Sequence, residues 1–196
     1  MHGLQESGWV VDESAAAAVR GIRDVFDQVV AGGFRAEKVE GASDEEIDAM
    51  AAAQGVRMVP AALREVLRIL GKQGGAWLPG AGFGISMGAQ DKEYALWCVE
   101  EAEERGIAHG MRDPQGLLAV LDAAASSYVV VDGADLAEAD PPMWVLVESG
   151  EVTRRHESVT AWFALTGEGV MDTRRMLAER RAHGCRETPG EASYRW

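Results

Sequence analysis

Residues 127–165, SYVVVDGADLAEADPPMWVLVESGEVTRRHESVTAWFAL, decide the fold. Tyr128, Val129, Val130 and Val131 are an aromatic and β-branched run, the composition of a strand. Asp132-Gly133 closes it. An acidic loop follows and ends at Pro141-Pro142. Asp140 stands before proline, is pushed out of the helical region and leads into a second strand over residues 143–147. Ser149-Gly150 supplies turn chemistry before a third strand over residues 152–156. Ser158 then starts a short helix through residue 165. Links this short pair strands antiparallel, and the helix packs back on the sheet.

Outward from this stretch the pattern is mostly helical. Downstream, Gly167-Glu168-Gly169 predicts a break and a final helix over residues 171–183. The last dozen residues, CRETPGEASYRW, read as a tail. Upstream, residues 114–124 read as a helix interrupted by Gly116. Asp91 is read as the cap of a helix reaching residue 105. Tyr94, Ala95, Cys98, Val99 and Ala102 are assigned to its inner face, and Glu100, Glu101, Glu103 and Glu104 to its wet face. Residues 74–88, GGAWLPGAGFGISMG, hold too much glycine for one regular element, yet Trp77, Leu78, Phe83 and Ile85 place them across the core.

Further towards the N-terminus, Ser43 and Glu46 form a capping box for a helix that Gly55 closes. Pro60 starts the next helix, with Leu63, Val66, Leu67 and Leu70 as its buried stripe and Gly71 as its stop. A first helix runs over residues 14–30, with Ile22, Val25, Phe26, Val29 and Val30 at helical spacing. Trp9 is its expected anchor.

The bulk numbers limit the partners. The chain has 196 residues, 47% of them hydrophobic, which suits one domain of ordinary size and a packed core. It carries 19 basic and 32 acidic residues, a net of −13. Nucleic acid and anionic membranes would repel it; a basic protein would not. The charge is uneven: residues 1–151 hold 11 basic and 26 acidic side chains, a net of −15, and the remainder a net of +2. Arg174, Arg175, Arg180 and Arg181 give the last helix a basic edge, suited to contact within the chain or in a homodimer. Cys98 lies in an apolar helical pattern and Cys185 in a polar one, so no disulfide framework is expected. The first residues lack the basic and apolar regions of a signal peptide, and no apolar run reaches a membrane span. A cytoplasmic location is the expectation.

Two segments resemble the SUKH superfamily, whose members include bacterial toxin-immunity proteins and fungal cell-wall regulators. One is SDEEIDAMAAAQGVRMVPAALREVLRILG, similar to that family's opening helix, short apolar link with proline, and second helix. The other is DPPMWVLVESGEVTRRHESVTAWFAL, similar to its proline-preceded strand with tryptophan, followed by a serine-started helix. The resemblance covers residues 43–165, about two thirds of the chain. It leaves residues 1–40 unaligned, and the helix expected over residues 91–105 is longer than the family's usual insert. It implies an α+β fold, protein binding and no catalytic set.

The motifs that carry chemistry are few. Gly84-Ile85-Ser86-Met87-Gly88 matches the G-x-S-x-G turn of serine hydrolases, and Asp132 or Asp135 with His156 or His183 keeps a Ser–Asp–His order. The segment before it is a poor strand, and the βαβ units of that fold are not apparent. Gly80, Gly82 and Gly84 lack the lysine of a phosphate loop. His2, His109, His156 and His183 share no ligand spacing, so neither a metal nor a cofactor is expected. Asp132, Asp135, Glu138 and Asp140 cluster before the prolines. They are read as an acidic lip that meets lysine and arginine on a partner, against the plainer reading of a solvated loop whose aspartates make turns. Trp144 and Trp162 are read as core contacts between sheet and helix; Trp196 has no core role.

The sequence therefore predicts an α+β protein with a mostly antiparallel sheet flanked by helices. Residues 1–40 are a helical extension, 41–166 the SUKH-like domain, and 167–196 a helix and tail. The expected function is non-enzymatic: an immunity-type module that occludes a cognate toxin or another basic protein through Asp132, Asp135, Glu138 and Asp140. The alternative is a small serine hydrolase using Ser86.

Overall fold

A computed structural model describes residues 13–123 and 126–185. The expectations for His2, Trp9, Trp196 and the tail from residue 186 onward lie outside the described residues. The helices are α1 (Glu13–Ala31), α2 (Asp44–Ala53), α3 (Ala61–Leu70), α4 (Ala89–Glu104) and α5 (Val159–Ala182). The strands are β1 (Gly82–Phe83), β2 (Leu118–Asp122), β3 (Ser127–Val131), β4 (Met143–Val147) and β5 (Val152–His156). They form one antiparallel sheet in sequence order. The α+β class and the antiparallel sheet are as the sequence predicts.

Strand β2 replaces the helix expected near residues 114–124. Only Pro114–Gly116 turn, as one 3-10 turn, where Asp113 accepts from the Gly116 N–H at 3.1 Å. Leu118, Ala119, Val120 and Leu121 are all buried, so the segment has no polar side to show water. An apolar run this short is a strand covered on both faces.

The sheet is covered on both faces. Phe83 on β1 lies 6.1 Å, ring to ring, from Trp162 on α5. Tyr128 on β3 sits within the electrostatic reach of Asp91, Tyr94 and Cys98 on α4, and α4 touches β2, β3, β4 and β5. Trp162 thus joins sheet to helix, as expected. Trp144 is buried in the same core and packs against Gly110, beyond the end of α4.

The break expected at Gly167-Glu168-Gly169 does not occur; α5 runs unbroken for 24 residues. Two mid-helix glycines cost about 1 kcal/mol each against alanine, and packing overrides that cost. A Cβ on Gly167 would stand 2.9 Å from Val29 Cγ2 and 3.2 Å from Trp77 Cζ2. The missing side chain lets α5 approach α1 and Trp77. Trp77 stacks on Phe163 at 4.6 Å and 12°, stacks on Phe26 at 5.6 Å, meets Phe34 edge-on at 5.3 Å, and donates from its indole N–H to Thr166 Oγ1 at 2.9 Å. Each such ring pair contributes about 0.5–1.5 kcal/mol beyond its buried area.

The core is one cluster from Ala18 to Val170, and it crosses both expected boundaries, at residues 40 and 166. Helix α1 packs on α3 and α5 and is tied by Arg23, whose Nε donates to the buried Glu65 at 2.6 Å. Arg68 holds the other oxygen of Glu65 at 3.3 Å and also pairs with Asp44. The capping box of α2 is formed: Ser43 Oγ accepts from the Glu46 N–H, and the Ser43 N–H donates to Glu46 Oε2 at 2.8 Å.

Candidate interaction surface

The loop after β3 carries the four acids expected to form a lip, and it spends three of them internally. Asp132 and Asp135 are buried. Asp132 accepts the backbone N–H of Arg112 at 2.6 Å, of Asp113 at 2.9 Å and of Ala134 at 3.2 Å. Its carboxylate is the staple between this loop and the segment leading into β2. Asp135 receives the Arg112 guanidinium. Asp140 accepts the Thr160 N–H at 2.9 Å, in the first turn of α5, where Ser158 also caps Ala161 at 3.0 Å. Free N–H groups and the positive helix end favour a carboxylate there. Glu138 alone of the four is exposed. The four acids therefore do not present one exposed lip; Asp132 and Asp140 are captured by nearby backbone donors and Asp135 by the Arg112 side chain.

A second surface lies on the outer side of α4. The helix starts at Ala89, before the expected cap: Asp91 sits one turn in and accepts the Gly88 N–H at 2.7 Å. Ala95, Cys98, Val99 and Ala102 face the sheet. Tyr94, assigned inward from sequence, is 51% exposed, and Trp97 is 42% exposed. The inward positions are taken by small side chains, so the sheet comes close and the two large rings are left at the side. With Gln90, Glu93 and Glu148 they line an open hollow of about 460 Å³.

Glu148 reaches this hollow because the β4–β5 turn is fixed on α4. Arg105 donates to the Ser149 carbonyl, and Gly150 lies against Ala102. The thiol of Cys98, beneath, is pushed up to about 11, first by burial and then by Glu148 and Glu101. Exposed Glu100 and Glu104 continue the acidic surface along the helix. Sequence periodicity assigned Tyr94 inward and gave Trp97 no place; the small residues Ala95, Cys98 and Ala102 on the buried side were the signal that could have turned both rings outward.

Ser86 ends a 3-10 turn, Gly84–Ser86, between β1 and α4. Its hydroxyl donates to the Phe83 carbonyl at 2.9 Å. The first glycine of the motif has a structural reason. Gly84 is at φ +74°, and a Cβ there would stand 2.0 Å from the Gly71 carbonyl, which accepts the Ile85 N–H at 3.0 Å. The described histidines lie elsewhere in the fold. His109 Nε2 is 3.1 Å from Glu103, and His183 Nδ1 is 2.8 Å from the Glu179 carbonyl. His156 is half-buried on β5, where burial and then Arg155 hold its imidazole below the ordinary value. Among the described residues, no cluster of three or more His, Cys, Asp or Glu has the arrangement of a metal site. No helix among them is long and apolar enough to cross a membrane.

No family model matches the chain, and no curated protein matches it in sequence.

Proposed function

We propose that this protein is a non-enzymatic binding module that covers a basic partner protein. One observation carries the reading: the outer face of α4, where Tyr94 and Trp97 stand half exposed beside Glu93 and Glu148. Exposed aromatic rings are the usual anchors of protein interfaces. The carboxylates around them favour lysine and arginine over an apolar partner, and the net −15 of residues 1–151 steers a basic partner towards this body. The same charge disfavours nucleic acid and anionic membranes.

The resemblance to SUKH immunity proteins names the partner further, as a cognate toxin in the cytoplasm. A nuclease fits best, because its nucleic-acid groove is basic. Neutralisation by steric and electrostatic occlusion asks no catalytic group of this chain. Glu138 belongs to the same acidic body, whereas Asp132, Asp135 and Asp140 support the fold.

The test is copurification with the product of the adjacent gene, for the wild type and for Trp97→Ala with Glu148→Lys. The expected result is a basic partner held by the wild type and lost by a variant of unchanged stability, with association slowing as salt rises. A wild type that holds no partner would sink the reading.

A further inference from the structure

The hollow on α4 has a composition that selects one kind of side chain. Its walls are two aromatic rings, Tyr94 and Trp97, and its polar groups are Glu93, Glu148 and the carboxamide of Gln90. Two carboxylates among five lining residues make it a poor seat for an apolar side chain, which would strip them of water without replacing it. A cation satisfies both halves of the site at once, through the ring faces and through the carboxylates.

Between the two protein cations, the geometry favours arginine. A guanidinium is planar, weakly hydrated, stacks on an indole and presents parallel donors to a carboxylate. An ammonium is a compact, strongly hydrated point charge with no plane to lay on Trp97. The site is also preorganised. Tyr94 and Trp97 are on a helix anchored through Ala95, Cys98, Val99 and Ala102, and the turn next to Glu148 is fixed on that helix by the Arg105 to Ser149 contact. We propose that this hollow receives an arginine side chain of the basic partner, between the Trp97 and Tyr94 rings and the carboxylates of Glu93 and Glu148. The proposal rests on the binding-module reading and deepens it.

The experiment is an NMR titration of the whole chain with a capped Gly-Arg-Gly-Arg-Gly peptide, following the Trp97 indole N–H assigned by Trp97→Phe. Lysine and citrulline versions of the peptide are the comparisons. A saturable shift of the Trp97 signal is expected with arginine, a weaker one with lysine and none with citrulline. Glu93→Gln with Glu148→Gln should weaken arginine binding about tenfold, roughly the effect of losing charge-assisted contacts. Glu45→Gln, an exposed position on α2, should leave it unchanged. Equal shifts with citrulline, or arginine binding that leaves Trp97 unmoved, would overturn the proposal, as would no binding of any peptide. Those failures leave partner capture by the wild type as a separate result, so failure of the arginine pocket is distinguishable from failure of the binding module.

Discussion

The carboxamide of Gln54 closes on the backbone of Ala119 from both sides. Its Nε2 donates to the Ala119 carbonyl at 3.1 Å, and its Oε1 accepts the Ala119 N–H at 2.9 Å. Gln54 is 3% exposed. Strand β1 pairs only with Leu121 and Asp122, so it does not reach Ala119. The side chain completes the ladder there, and it joins the C-terminal end of α2 to the middle of the sheet. Gln54→Met keeps the shape and removes both bonds, leaving a buried N–H and C=O without partners. A loss of about 2–4 kcal/mol is expected in urea unfolding. A loss under about 0.5 kcal/mol, the scale of a neutral surface change, would show that the clasp is dispensable.

The two glycines inside α5 should respond in opposite directions. Gly169 has nothing within 4 Å of a Cβ added to it, so Gly169→Ala stabilises the helix by about 0.5–1 kcal/mol. Gly167→Ala forces the new methyl into Val29 and Trp77 and destabilises by about 1–3 kcal/mol, the cost of overpacking. Thermal unfolding of the two variants side by side decides it. Stabilisation by both would mean that α1 and α5 pack less closely than described.

Asp132 and Glu138 separate support from recognition in one loop. Asp132→Asn presents an amide to backbone N–H donors that need an acceptor, and should cost about 1–3 kcal/mol. Glu138→Lys is exposed and should leave stability within about 0.5 kcal/mol. Charge reversal of the whole loop would therefore unfold as well as repel, and only the Glu138 variant reads binding cleanly. A Glu138→Lys protein as unstable as Asp132→Asn would contradict this division of labour.

Local grammar made much of the fold legible. The Ser43 and Glu46 capping box, the Leu63 to Leu70 stripe and strands β4 and β5 follow from short-range pattern, and each is where that pattern puts it. The errors share one cause. Leu118 to Leu121 and the Gly167–Gly169 stretch are decided by neighbours far along the chain. A doubly covered strand looks like a buried helix, and a glycine at a close helix crossing looks like a helix stop. The site failed for a related reason. Four acids in a row of turns read as a charged lip, but backbone donors at Arg112, Asp113 and Thr160 claim Asp132 and Asp140, and the Arg112 guanidinium claims Asp135. Trp97 and Tyr94 became a candidate surface only once α4 was set down on the sheet.

Two buried acids beneath α4 predict how the fold meets alkali. Burial pushes Cys98 from its ordinary 9.0 to about 11, and Tyr128 from 10.0 to about 12, with Asp122 and Asp91 adding to the second. Both groups are neutral when protonated. The unfolded chain releases these protons first, so above about pH 9 the folded state binds more protons and stability falls as pH rises. The contribution is fully present below pH 9 and is lost as pH climbs towards the folded values. One pKa unit is about 1.4 kcal/mol, so roughly 2–3 kcal/mol per group is an upper bound. Urea unfolding of the wild type at pH 8 and pH 10.5 should show the decline, and Cys98→Ala with Tyr128→Phe should flatten it. The same burial makes Cys98 unreactive: a thiol reagent at pH 8 should label Cys185, which is exposed, and reach Cys98 only after denaturation. Fast labelling of Cys98 in the native protein, or an alkaline slope unchanged in the double variant, would mean that α4 opens from the sheet and that Tyr94 and Trp97 are not held on a fixed face.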